Sequence, residues 1–491
     1  MQSEFLGDET ATIRLWSLSE DALLEVDAAG AALLVVTRWG EFDVSDADGP
    51  ARELLRRMEL GPVFLGNVTG IVPGGREPGT AVAGREGGGP AGFERVLDRV
   101  SGAVVHSLGL ANGRRPLLSA IPVVASPVFA PRRIGPLRKA RLSRFAALRS
   151  ADDALVLESP RADFRVVLTQ PAAAQVAASL AAPATAAEIA ERVASPVSVV
   201  ADIVGYLVAA GVVLAAGRDR GFAEDADPVL RPWSHHELLF HVRSRMRPPE
   251  LAAEPPAGEP PPETEEPAGA AGAYPLRRPE AGGLPADRRP LAELLEQDHV
   301  WPELPGASIS AGQLGELLFR SARVRSAGPA HPRFGRGLRT SQRPYFAVAG
   351  LYELELYLSI EGCAGLPDGI HRYDPVGHAL TVVSTDAAAR RELLDMAKAA
   401  AGSARRPSAL ITVTVRIGRM SRVLGGAAYA IALMHLGALQ QTLYLVARAM
   451  GVIAHAVPVD ASDRVDRVDR VLRLRWPAEV SVGECVLAGR S

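Results

Sequence analysis

The chain of 491 residues contains only two cysteines, Cys363 and Cys485, which are too few for a disulfide framework or a cysteine-rich zinc cluster. We therefore expect both thiols to be reduced and structural, and we predict no metal site. No uninterrupted run of about 18 apolar residues occurs, and the first residues lack a basic segment followed by an apolar one. These absences favour a cytoplasmic protein that is not inserted in a membrane.

Neither sign of charge is in excess, since 54 Lys and Arg residues and 56 Asp and Glu residues give a formal net charge of −2. Proteins that bind nucleic acids usually carry a broad basic surface, so we expect no nucleic-acid partner. Apolar residues make up 47% of the chain and charged residues 22%, as in globular proteins. The length predicts two or three domains.

The N-terminal part carries one pattern twice. Two β-patterned runs surround the turn signal at residues 27–30, and a short helix with apolar Leu54, Leu55 and Met58 follows. The same order returns after residue 141 and continues into a helix capped by Thr185. We interpret residues 1–130 and 131–225 as tandem winged-helix-like units. Neither contains a basic recognition helix, so we expect peptide or subunit contacts instead of DNA binding.

Residues 226–246 contain three histidines beside Glu237, which is a pattern to test as a metal site. Their order differs from the HExxH motif of zinc proteases. We interpret the segment as a connecting helix whose apolar face carries Leu238, Leu239 and Val242.

Residues 247–290 are dominated by Pro, Ala, Gly and Glu. Such a composition disfavours regular helix or sheet and offers few large apolar side chains to a core. We predict a domain linker here, followed by a separate domain at residues 291–491.

The last 200 residues resemble the SagB-type dehydrogenases of the nitroreductase superfamily, in the form found in thiopeptide-type pathways. The resemblance rests on the segments PYFAVAGLYELELYLSI, QTLYLVARAMG and SVGE, and it extends upstream through RLWSLSEDALLEV, WGEF, RRMELGPV, LSRFAALRS, FAEDADP and HELLFHVRSR. Members of this family are flavoproteins that oxidise azolines to azoles in ribosomally made peptides. The resemblance implies an α+β fold with a four- or five-stranded antiparallel sheet, surrounding helices, and FMN at the interface of a dimer.

The segment that should hold the FMN phosphate departs from the family pattern. The family's ERRSxR falls on EQDHVW here, which puts Gln297, Asp298, His299 and Trp301 where two arginines, a serine and a third arginine are expected. Arginine binds phosphate through bidentate, charge-assisted hydrogen bonds. We therefore expect the phosphate anchor to be degenerate, with Asp298 adding a repulsive charge.

Two further elements of the family site also differ. The family's PSGG turn is replaced by Phe346, Ala347, Val348 and Ala349, which carry side chains where a ligand approaches the backbone closely. A Lys-Tyr pair associated with catalysis in the family falls on two residues that cannot transfer a proton, Val423 and Leu424.

These losses predict a pseudoenzyme that binds no FMN itself and pairs with a paralogous active dehydrogenase, in a scaffold or peptide-docking role. A cyclodehydratase and the precursor peptide are further candidate partners. Two alternatives stay open: an active FMN-dependent azoline dehydrogenase with unusual phosphate contacts, and a leader-peptide recognition module.

Overall fold

The structure is a computed structural model that describes residues 11–26, 33–64, 90–151, 153–244, 272–279, 290–298, 304, 307–328, 340–457, 467–475 and 478–489. The chain divides into two compact units, Met1–Arg243 and Ser244–Ser491.

The N-terminal unit combines short strands with helices of one to four turns. Its strands are β1 Thr12–Leu18, β2 Leu23–Val26, β3 Leu33–Thr37, β4 Gly40–Asp43, β5 Val104–Leu110, β6 Leu118–Pro122, β7 Ala140–Leu142, β8 Ala147–Ala151, β9 Ala154–Glu158, β10 Phe164–Leu168 and β11 Val213–Ala215. Its helices are α1 Gly49–Leu60, α2 Pro90–Arg99, α3 Pro171–Ser179, α4 Ala186–Val193, α5 Val197–Ala209, α6 Ala223–Ala226 and α7 His235–Arg243.

The predicted buried face of α1 and the predicted helix cap at Thr185 are confirmed. Leu54, Leu55 and Met58 lie on the buried face of α1. The hydroxyl of Thr185 accepts a hydrogen bond from the backbone N–H of Glu188, whose carboxylate accepts one from the backbone N–H of Thr185, which is a capping box at the start of α4.

The six-stranded sheet of this unit joins strands from both predicted winged-helix-like units. A six-stranded antiparallel sheet has the order β1-β5-β6-β10-β9-β8, and a three-stranded sheet has the order β2-β3-β4. One buried apolar cluster surrounds the three-stranded sheet and α1, and a second packs α3, α4 and α5 on the six-stranded sheet. The boundary at residue 130 and the winged-helix assignment stay predictions.

His106 on β5 is partly buried among aromatic rings, and its titration should be visible in the stability of this unit. Its ring stacks on Phe129 with the centroids 4.3 Å apart, and burial lowers its pKa from 6.5 to about 4. The unfolded chain therefore binds a proton at higher pH than the folded chain, so stability falls as the pH drops from 6.5 towards 4. A His106→Phe variant should lose less stability than the unchanged chain between pH 7 and pH 4.5, by about 2–3 kcal/mol. Native-state hydrogen exchange of the β5 and β6 amides in both proteins at the two pH values measures the stability of this unit, and an identical pH dependence would contradict the prediction.

The C-terminal unit is built on one large sheet. Its strands are β12 Ala273–Pro275, β13 Ser326–Gly328, β14 Thr340–Gln342, β15 Leu354–Ile360, β16 Gly369–Asp374, β17 Ala379–Ser384, β18 Ala409–Arg416, β19 Ile453–Val457 and β20 Glu479–Ala488. Its helices are α8 Leu291–Leu295, α9 Ala311–Ala322, α10 Ala387–Ala400, α11 Ile417–Leu424, α12 Ala428–Met450 and α13 Arg467–Leu472.

The sheet is antiparallel, as the resemblance implies, but it has seven strands in the order β12-β17-β16-β15-β18-β20-β19 instead of four or five. Helices α9 and α12 share one buried cluster with it, and α10 and α13 share another. The α+β class is thus confirmed.

The prediction that residues 247–290 form a linker without regular structure is wrong in part. Within residues 247–290, the segment Ala273–Pro275 forms the edge strand β12, and Tyr274 pairs with Leu380 of β17. Leu276, directly after it, is buried in the core, and its backbone N–H donates to the carbonyl of His378. Proline is tolerated here because an edge strand leaves one side without ladder hydrogen bonds. Most other residues of 247–290 lie outside the described residues.

Helix α12 is the main core helix of this unit. In the described part of the chain, the stretch Gly425–Met450 is the one continuous helix long and apolar enough to cross a membrane, with a mean hydropathy of 1.3. Core helices of globular proteins meet the same criterion. Here Leu436, Leu439 and Leu443 pack with the central strands.

Candidate functional site

In the described residues, each segment that the resemblance assigns to the cofactor contacts α12. Leu424 packs with Ala428 at the N-terminal end of the helix, the turn at 346–349 contacts His435, and residues 297–298 contact Arg448 in the last turn. Residues 435 and 448 are 13 positions apart, about 20 Å along the helix axis. The turn and the phosphate segment are therefore separated within this chain.

At the phosphate segment, Gln297 and Asp298 follow α8 and are held by Arg448 of α12. The guanidinium of Arg448 donates to the side-chain oxygen of Gln297, to the backbone carbonyl of Asp298 at 3.2 Å, and to the hydroxyl of Tyr444. All three acceptors are neutral, so these contacts fasten the segment without cancelling the charge of Arg448. His299 and Trp301 lie outside the described residues.

The turn at 346–349 is hydrogen-bonded to a histidine of α12. Val348–Gly350 form a single 3-10 turn in which Ala349 has a φ of 55°, a left-handed conformation that is unfavourable for a residue with a Cβ. The backbone N–H of Val348 donates to Nε2 of His435 at 2.8 Å. The side chain of Phe346 stands outward with 65% of its surface exposed.

His435 is in turn oriented by Glu353. Its Nδ1 lies 2.9 Å and 3.1 Å from the two carboxylate oxygens of Glu353, and both side chains are fully buried. Because Nε2 accepts from Val348, the ring proton sits on Nδ1 and is donated to the carboxylate. Neither residue of this pair is predicted from the sequence. The available signals were a glutamate directly before strand β15 and a histidine within the apolar helix α12.

Leu424 packs in a buried apolar cluster at the end of α11. It is buried together with Leu351, Met420 and Ala428. Val423 lies in the same helix, and its side chain is outside the described residues. The resemblance places the tyrosine of the family's Lys-Tyr pair at position 424. In this chain the side chain at that position, Leu424, contributes to packing.

A second polar cluster lies on the other face of the sheet. The carboxylate of Glu479 accepts hydrogen bonds from Thr414 at 2.6 Å, Tyr357 at 3.2 Å and Arg416 at 3.0 Å. Burial, followed by the charge of Glu479, raises the pKa of Tyr357. The carboxylate is thus saturated with donors, which favours a structural role over a catalytic one.

These residues do not fit an FMN site of the family's kind. Val348 and Ala349 carry side chains where the family has its two glycines, and the N–H of Val348 is already bound to His435. At the phosphate segment, the guanidinium present is committed to three neutral acceptors. A dianionic phosphate would have to displace these contacts beside Asp298, at a cost that the family's arginines do not incur.

The other candidate groups are the three histidines of α7 and the two cysteines. In α7, Nδ1 of His235 is 2.7 Å from the carbonyl oxygen of Phe145, while His236 and His241 are exposed. Among the described residues, no group of three or more His, Cys, Asp or Glu side chains is placed to hold a metal ion. Cys363 and Cys485 are free and buried, and burial raises their pKa values to about 11 and about 12.

Comparison with known proteins locates a family match in the N-terminal half. Residues 140–248, from β7 to just beyond α7, match the family model of the cyanobactin oxidase ThcOx. Among the curated proteins, none matches the chain. The family match confirms the predicted resemblance to nitroreductase-like dehydrogenases of ribosomal peptide biosynthesis.

Three solved structures show weaker likenesses. A proposed nitroreductase from Ralstonia eutropha JMP134 is 17% identical, with a TM-score of 0.32 and coverage of 48% of this chain and 98% of the other. A proposed nitroreductase from Anabaena variabilis ATCC 29413 is 18% identical, with a TM-score of 0.34 and coverage of 51% and 45%. The E. coli microcin synthetase McbBCD complex with truncated pro-MccB17 bound is 18% identical, with a TM-score of 0.33 and coverage of 51% and 91%.

Proposed function

We propose that this chain, a relative of the SagB-type dehydrogenases, is a catalytically inactive subunit that pairs with an active FMN-dependent azoline dehydrogenase. Its role is that of a scaffold or peptide-docking subunit in the biosynthesis of azole-containing ribosomal peptides, and FMN is held by the active subunit. One observation carries the proposal: in the described residues, the segments expected to contact the cofactor are fastened to α12 of the same chain.

Exposed apolar side chains near α12 support a partner surface there. Tyr429 and Met434 expose 40% and 61% of their surface on this helix, and Phe346 exposes 65% on the adjacent turn. Large apolar side chains that remain exposed on one element are candidates for burial against a partner. Burying each of them would contribute about 1–2 kcal/mol to association.

The active-enzyme alternative has one observation in its favour. Glu353 and His435 form a carboxylate–imidazole pair beside the turn, and such a pair serves as a general base in many enzymes. Both side chains are fully buried, however, and Nε2 of His435 already accepts from the N–H of Val348. A base whose acceptor nitrogen is occupied inside the core has no path to a substrate proton, so the geometry favours a structural role.

The proposal predicts a hetero-oligomer that depends on the outer face of α12. Mixed with its proposed partner, an active SagB-type dehydrogenase, the chain should elute from a size-exclusion column as a complex. Met434→Glu should weaken this complex at least about tenfold, because it buries a charge in an apolar contact. Val376→Glu is the matched control, since Val376 is also an exposed aliphatic residue, with 72% of its surface accessible, but lies in the β16–β17 turn. The proposal is wrong if no complex forms and the chain alone oxidises an azoline peptide.

A further inference from the structure

Strand β8 is an open edge of the six-stranded sheet. It pairs with β9 along residues 147–151 and is the last strand in the sheet order, and in the described part of the chain no other strand pairs with its outer side. Its middle three residues are exposed. Open edges present unpaired backbone donors and acceptors, which can pair with another extended segment.

The hydrogen-bond pattern indicates which backbone groups face outward. Strands β8 and β9 are joined through two residues, 152 and 153, so Ala151 and Ala154 form a hydrogen-bonded pair. Hydrogen-bonded and non-hydrogen-bonded pairs alternate along an antiparallel ladder. The N–H and C=O groups of Leu148 and Ser150 therefore point to the open side.

Helix α7 forms a wall beside this edge. Its first residue is fastened to the carbonyl oxygen of Phe145, and its last residue, Arg243, bonds Glu158 of β9 at 2.8 Å. Between the helix and the hairpin lies an open groove of about 470 Å³. Its walls mix apolar and charged side chains: Arg149, Glu158, His236, Leu239, Phe240 and Arg243.

The charged groups of the groove favour an acidic occupant. Arg149 and Arg243 both bond the carboxylate of Glu158, at 2.7 Å and 2.8 Å. Two guanidinium groups share one carboxylate, so one positive charge is in excess. Arg149 and Arg243 are 47% and 41% exposed while Glu158 is 11% exposed, which leaves guanidinium donors facing the groove.

Apolar contacts are available on both faces of the edge. Phe240 and Val242 expose 41% and 39% of their surface on α7, and Leu148 exposes 45% on β8. An extended peptide places alternate side chains on opposite faces, so one set would lie in the groove and the other beside Leu148.

We propose that β8 and α7 form a docking site for an extended acidic peptide, which adds a seventh strand to the sheet. Backbone pairing with Leu148 and Ser150 would supply affinity, and carboxylates beside Arg149 and Arg243 would supply specificity. This inference concerns the N-terminal unit and stands whether or not the C-terminal unit binds a flavin. A second copy of the chain fits less well, because two β8 strands paired about their centres would bring both copies of Arg149 together.

Fluorescence anisotropy of the full chain with labelled heptapeptides tests the site. A peptide of alternating glutamate and valine should bind saturably, and its lysine counterpart at least about tenfold more weakly. Two isomers of the acidic peptide, N-methylated on the odd or on the even amides, separate strand addition from other binding. Alternate N–H groups of a paired strand point to opposite sides, so one isomer should lose binding at least about tenfold while the other keeps it. Equal binding of both isomers, or no preference for the acidic peptide, would overturn the proposal.

Protein variants locate the contact. Ser150→Pro removes an outward N–H and is compatible with an edge strand, and Ser150→Ala is the matched control that keeps it. We expect Ser150→Pro to weaken peptide binding at least about tenfold and Ser150→Ala to leave it unchanged. Hydrogen exchange of β9 amides checks that the hairpin is intact. If the chain is instead a dimer that Ser150→Pro dissociates, the occupant of the edge is a second copy and the peptide proposal is wrong.

Discussion

Purified without added cofactor, this chain is expected to show no flavin absorbance, and added FMN should not bind measurably at concentrations up to about 1 mM. The family resemblance places three arginines where Gln297, Asp298 and Trp301 stand. Each charge-assisted hydrogen bond to a phosphate contributes about 1.5–3 kcal/mol, so their combined loss exceeds about 4 kcal/mol, or about a thousandfold in Kd. Equilibrium dialysis with FMN measures this directly.

Restoring the site is the stronger form of the same test. The restored variant carries Gln297→Arg, Asp298→Arg, His299→Ser, Trp301→Arg, Phe346→Pro, Ala347→Ser, Val348→Gly, Ala349→Gly and Arg448→Gln. The last change is needed because Arg448 donates to Gln297, so a guanidinium at position 297 would face a like charge, and a neutral side chain removes that charge without repelling the phosphate. We expect FMN binding from the full set, and at least about tenfold weaker binding from the same set without Arg448→Gln. Retention of FMN by the unchanged chain through purification would refute the pseudoenzyme proposal.

The largest effect on stability is expected at the buried Glu353–His435 pair. His435→Leu leaves the Glu353 carboxylate buried without its partner and removes the acceptor of the Val348 N–H. We expect a loss of about 3–5 kcal/mol. Glu353→Gln keeps an acceptor for the imidazole N–H and should cost about 1 kcal/mol. In the double variant Glu353→Leu with His435→Leu, most of the loss should be recovered, because no buried polar group of the pair is left unpaired.

Because the chain has two compact units, a single global unfolding signal does not isolate this effect. Hydrogen exchange of the amides in β15 and β18, the central strands of the C-terminal sheet, reports the unfolding free energy of the affected unit. His236→Leu is the matched control, since His236 is exposed on α7 and its replacement should change stability by less than about 0.5 kcal/mol. A similarly small change for His435→Leu would show that the pair does not hold the turn.

Much of the fold was predictable because it follows from local patterns. The apolar spacing of Leu54, Leu55 and Met58 predicts the buried face of α1, and Thr185 with Glu188 predicts the start of α4. Strand β12 was missed, since Ala, Tyr and Pro form a strand there only because the edge of β17 is available. Strand β19 and helix α11 were missed as well, and both are short elements next to longer ones.

The sequence by itself determined which chemical groups are absent from the family site. Arginines are missing at positions 297, 298 and 301, glycines at 348 and 349, and a proton-transferring pair at 423 and 424. These absences are evident from the sequence because the flanking segments match the family pattern and so define the positions. Only the tertiary structure decided which side chains hold these segments in place. Arg448 reaches Gln297 across 151 residues of chain, and His435 reaches Glu353 across 82. Such pairs arise when helix α12 packs on the sheet, and local periodicity carries no record of contacts so distant in sequence.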